Sequence, residues 1–181
     1  MCCVVGCCGV LCKPRIRRKA KGPVEETQAT EPQEERAKEP VNLYGEYPYK
    51  VDGKGRVGLP AAFRRVLSKD LLIVPDLKQD CVLVFEKADY DKWCESMFVQ
   101  RFGGYESNNK MHIDLHRQMR ARARAAEVDA SGRIMIPGDM RGKCDIDKDV
   151  VLVGNGDRFE IWDAKRYQQV AEEADLSIFL V

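Results

Sequence analysis

Two arginines stand four residues after an aspartate in matching segments, Asp52-Gly53-Lys54-Gly55-Arg56 and Asp129-Ala130-Ser131-Gly132-Arg133. A carboxylate at the head of a turn accepts backbone N–H groups. The glycine before each arginine, Gly55 or Gly132, supplies the freedom a tight reversal needs. The arginine then has two uses. It can pair with its own aspartate and hold the hairpin, or it can project from the turn, where a guanidinium meets phosphate or the O6/N7 edge of guanine. Lys54 gives the first turn a second cation, and the second turn carries Ser131 instead. With Arg64, the candidate set for contacting double-stranded DNA is Lys54, Arg56, Arg64 and Arg133, while Asp52, Gly55, Asp129 and Gly132 are read as turn-forming. Both uses of the arginines stay open at this level.

Other chemistry is thinner. His112 and His116 are the only histidines, and their i, i+4 spacing could put two imidazoles on one metal. The metalloprotease pattern wants a glutamate directly after the first histidine, and Ile113 stands there. Cys81, Cys94 and Cys144 are far apart and read as reduced, buried thiols. No phosphate-cradling glycine loop or nucleophile elbow is legible. The expectation is a protein without enzymatic activity, cofactor or metal.

The elements that would position the turns repeat. From Asp52 to Asp129 the lag is 77 residues, and Val51, Gly55, Arg56 and Pro60 recur at the same lag as Val128, Gly132, Arg133 and Pro137. Phe63-Arg64 falls opposite Met140-Arg141, and Val84-Phe85-Glu86 opposite Ile161-Trp162-Asp163. Such a repeat is one supersecondary unit used twice. Each copy reads as strand, Asp-led turn, strand, a short helix opened by proline, two strands and a longer helix. Tyr90, Trp93, Cys94, Met97 and Phe98 keep helical spacing up to Gly103-Gly104. Between the copies, a basic connector helix is expected over about 110–126, with Arg117, Arg120 and Arg124 on one face and Met111, Leu115 and Met119 on another.

Charge is almost balanced, 30 Lys+Arg against 29 Asp+Glu, so nucleic-acid affinity would have to come from local clustering. Five of the eight cysteines lie within the first twelve residues. That run is too short to span a bilayer. An acylated segment, a cysteine metal cluster and an unstructured extension are its competing readings, and the last leads. A basic and then acidic, Pro/Gln/Thr-rich stretch follows, with little apolar surface to bury. The expected organisation is a disordered extension over 1–42, a first repeat over 43–108, the connector over 109–126, a second repeat over 127–174 and a tail over 175–181.

The paired Asp-x-x-x-Arg turns, the proline-led short helices and the run Phe159-Glu160-Ile161-Trp162-Asp163 resemble the MraZ family of bacterial transcriptional regulators. More distantly, each half resembles the AbrB-like swapped-hairpin DNA-binding module. The resemblance covers about Leu43 to Glu173. It implies an α+β fold of two pseudo-symmetric swapped-hairpin barrel halves. It further implies a closed ring homo-oligomer binding short direct repeats upstream of its own gene, as a repressor of the division and cell-wall gene cluster. The setting would be cytoplasmic and nucleoid-associated, with no membrane partner. A different reading keeps the fold but makes the oligomer an antitoxin-like scaffold for protein partners.

Overall fold

The computed structural model describes residues 41–180; the expectations for the cysteine-rich start and the stretch after it lie outside the described residues. The first copy runs β1 (Glu46–Lys50), β2 (Arg56–Gly58), α1 (Ala61–Val66), β3 (Asp70–Pro75), β4 (Val82–Glu86) and α2 (Lys87–Phe102). After α3 (Lys110–Arg122) the second copy repeats that order: β5 (Arg124–Glu127), β6 (Arg133–Met135), α4 (Gly138–Lys143), β7 (Asp149–Asn155), β8 (Arg158–Asp163) and α5 (Ala164–Glu173). A 3-10 turn, Leu176–Leu180, follows. The fold is mixed α and β, with antiparallel strand pairing and mostly short helices.

Six strands form one sheet in the order β1-β7-β8-β4-β3-β5, and β2 pairs with β6 in a separate ribbon. The copies exchange strands: β1 of the first pairs with β7 of the second, and β5 of the second with β3 of the first. In the ribbon Val57 faces Ile134, with Arg56 opposite Met135 and Gly58 opposite Arg133, a pairing unchanged when the two copies are swapped. Pro48 is tolerated in β1 because that strand is an edge of the sheet. Central β4 is buried from Val82 to Phe85, as a strand covered on both faces must be.

The main core draws equivalent residues from both copies: Val57 with Ile134, Leu59 with Ile136, Phe63 with Met140, and Val84 with Ile161. Tyr47 of β1 meets Phe63 of α1 edge-on at 5.2 Å, and Phe63 meets Phe159 of β8 at 5.2 Å. A second cluster lies under α2, where Phe85, Tyr90 and Cys94 pack with Trp93, Met119 and Trp162. Helix α2 stops where expected: Gly103 adopts a left-handed φ of 80°, and the N–H groups of Gly103 and Gly104 return to Val99 and Phe98.

The connector departs from the sequence expectation. Asn109 caps α3 by accepting from the N–H groups of Met111 and His112, but the helix ends at Arg122 rather than near Ala126. Ala123 is extended, and Arg124–Glu127 forms β5 against β3. An Arg/Ala-rich run has high helix propensity; pairing with Leu71, Leu72 and Ile73 overrides it.

Candidate nucleic-acid interface

Each Asp-led turn is closed in the same way. The Asp52 N–H donates to the Arg56 carbonyl at 2.8 Å, and the Gly55 N–H to the Asp52 carbonyl at 2.9 Å. One carboxylate oxygen of Asp52 accepts the N–H groups of Lys54 and Arg56, both at 2.9 Å. The other accepts Arg56 Nε at 2.8 Å and lies 2.7 Å from Arg56 Nη2. These bonds, the Arg56 side chain foremost, hold the Asp52 carboxyl down at about 2. In the second turn Asp129 accepts from the N–H groups of Ser131 and Arg133 and pairs with the Arg133 guanidinium at 3.0 Å. Its carboxyl is also lowered, by the Arg133 backbone N–H first.

Gly55 and Gly132 occupy the left-handed region, at φ 82° and 73°, and each lies under an arginine of the opposite copy. A methyl group added at Gly132 would come within 2.5 Å of Arg64 Cδ, and one at Gly55 within 3.2 Å of the Arg141 guanidinium. Cross-copy backbone bonds fix the approach: Leu59 N–H donates to Gly132 and Ile136 N–H to Gly55, both at 2.9 Å. Val57 and Ile134 are fully buried, so strand alternation puts Arg56 and Arg133 on the ribbon's outer face. Arg133 Nη1 lies 4.0 Å from the Asp52 carboxylate. The two turns therefore form one surface rather than two.

The expected residues are thus distributed unevenly. Arg56 and Arg133 come together on the ribbon, each held by its own aspartate, so the turn-holding use of both arginines is present in the fold. Arg64 sits against the second turn. Lys54 is exposed at the first, and its ammonium has no partner among the described residues. Arg141, which roofs the first turn, was missed as a candidate; its position opposite Arg64 at the 77-residue lag is the signal that nominates it. Its Nε is buried without a hydrogen-bond partner among the described residues.

The other candidates take structural places. His112 is buried, accepts the Glu106 N–H at Nδ1 and stacks on Phe102 at 4.6 Å. His116 accepts from Arg120 and lies 5.2 Å from the Tyr105 ring. Among the described residues no group of three or more His, Cys, Asp or Glu could hold a metal. Cys81, Cys94 and Cys144 are buried free thiols, and burial pushes the Cys144 thiol up to about 11, which keeps it protonated and unreactive. The arginines of the expected basic stripe are paired: Arg117 with Asp114 and Arg120 with Asp91 on α3, and Arg124 on β5 with Asp139. Among the described residues no helix is long and apolar enough to cross a membrane.

A duplicated α/β unit that exchanges strands and brings the arginine turns of both copies to one ribbon face defines the class: a two-repeat protein with a shared Asp–Arg turn surface. One family profile, described as "MraZ protein, putative antitoxin-like", matches residues 43–102 and 119–179. The chain belongs to the MraZ family. It is similar to the transcriptional regulator MraZ of Christiangramia forsetii, 30% identical over 138 residues, covering 74% of this chain and 86% of that protein. The Lachnoclostridium phytofermentans regulator of the same name is 34% identical over 124 residues, 68% of this chain and 83% of its own. That of Symbiobacterium thermophilum is 32% identical over 130 residues, 72% and 90%.

Proposed function

We propose that the chain is a sequence-specific DNA-binding transcriptional regulator whose turn surface, carrying Lys54, Arg56, Arg64 and Arg133, meets the duplex. The observation that carries this reading is the convergence of both copies' Asp-led turns on one ribbon face in a chain similar to proteins named as transcriptional regulators. Arg56 and Arg133 stay oriented by their aspartates, which leaves the outer edges of the guanidinium groups for guanine or phosphate. Lys54 serves as a phosphate contact on the first turn only. The finer reading is of two AbrB-like swapped-hairpin halves, which the exchange of β1 and β5 supports. They assemble as a closed ring in the cytoplasm, on the nucleoid, over short direct repeats upstream of their own gene, and repress a division and cell-wall gene cluster.

Oligomerisation answers a shortage of cations. Each phosphate neutralised contributes a salt-dependence slope of about −0.9, and one subunit offers a handful of such contacts. A ring presents the same turn repeatedly to repeated DNA. The antitoxin-like description of the family profile favours a second reading, a scaffold that binds protein partners. Titrating DNA from upstream of the gene against a scrambled duplex, over a range of salt concentrations, separates the two. A regulator prefers the upstream duplex and weakens steeply with salt; a scaffold shows neither.

A further inference from the structure

Two of the exposed apolar surfaces among the described residues differ in shape. One is a cleft of about 220 Å³ between α2 and α3, lined by Leu77, Met97, Phe102, Leu115 and Met119 with Arg101 at its rim. The other is the turn Leu176–Leu180, whose Leu176, Ile178, Phe179 and Leu180 are 72–86% exposed. At the 77-residue lag Leu176 and Phe179 fall opposite Val99 and Phe102, at the end of α2. In the first copy α3 folds back beside that end, and Phe102 stacks on His112. In the second copy no described element covers the equivalent side chains. Contiguous exposed apolar groups of this kind mark interaction sites.

We propose that the 176–180 segment of one chain docks in the α2–α3 cleft of a second copy of this chain. Charge favours that occupant. Glu172, Glu173 and Asp175 are exposed just ahead of the segment, and Arg101 at the cleft rim is exposed with no ion pair among the described residues. The donor segment and the receiving cleft are different surfaces, so the contact is heterologous. It repeats head to tail and ends in a ring where the rotation closes. The inference rests on the oligomer named above and supplies the surfaces that make it; it does not depend on DNA binding.

The test uses the full chain at micromolar concentration, with mass read by light scattering and folding by thermal unfolding. Phe179→Asp and Leu115→Glu each lower the mass at least two-fold while melting close to the parent, and Val66→Glu, at an exposed apolar position on α1, keeps the parent mass. Leu77→Glu replaces Leu115→Glu should the latter melt early. A labelled peptide of residues 172–181 binds the Phe179→Asp chain saturably and fails to bind the cleft variant. An oligomer that survives both substitutions, or a peptide that does not bind, overturns the docking and leaves the ring standing. A monomeric parent chain overturns both.

Discussion

Asp52 gathers four donors, two backbone N–H groups and two guanidinium nitrogens, and this concentration has a measurable consequence. Its carboxyl titrates at about 2 in the folded chain, against 3.8 unperturbed. The folded state therefore binds fewer protons than the unfolded one between those values. The stability this confers is present above about pH 4 and is lost as the pH falls towards 2. Asp129 is shifted in the same direction and adds to the loss. The melting temperature should thus fall between pH 4 and pH 2, and Asp52→Asn should flatten part of that fall, which a pH series of thermal melts checks. Lys54 should behave in the opposite way. With no side-chain partner among the described residues, Lys54→Ala should leave the melting temperature unchanged, while reducing the salt slope of DNA binding by about 1 per contacting turn.

At the scale of elements, the turns and the core make separate predictions. Gly132→Ala must place a side chain at φ 73° and against Arg64. The expected cost is about 1–3 kcal/mol, read from a denaturant midpoint. Phe63→Ala opens a cavity where α1 of one copy meets β8 of the other, and should cost about 3–5 kcal/mol. How much of this was legible varies by element. Recurrence from Val51 to Pro60 and from Val128 to Pro137 gave the turns, the ribbon strands and the proline-led helices, because those are set by local chemistry. Which strands β1 and β5 pair with was not legible in the residue pattern, where only the resemblance implied swapped hairpins, since the choice of partner strand depends on register across the whole sheet. Arg124 shows the limit most sharply. Its spacing from Arg117 and Arg120 continues a helical stripe, yet it lies on a strand and forks onto Asp139. For the site, the sequence nominated Arg56 and Arg133 and left both of their uses open. Arg141 escaped because its part is played against the other copy's turn.

For the molecule as a whole, the turn surface is close to neutral where Arg56 and Arg133 meet Asp52 and Asp129, so the proposed affinity for DNA would come from repetition and from Lys54 and Arg64 beside them. A single chain should bind weakly and an oligomer steeply, with affinity lost together with the oligomer when its interface is broken. Arg56→Ala should weaken binding more than Arg133→Ala, because the first turn also carries Lys54. Replacing one bidentate guanine contact costs about 1–3 kcal/mol per engaged site. The most direct test of DNA recognition by this surface is a titration of the upstream duplex with the parent chain and with Arg56→Ala, each first shown to be folded and of equal mass. The account predicts a clear preference of the parent for the upstream over the scrambled duplex, lost in the variant. A folded Arg56→Ala oligomer that binds the upstream duplex as tightly as the parent would contradict it.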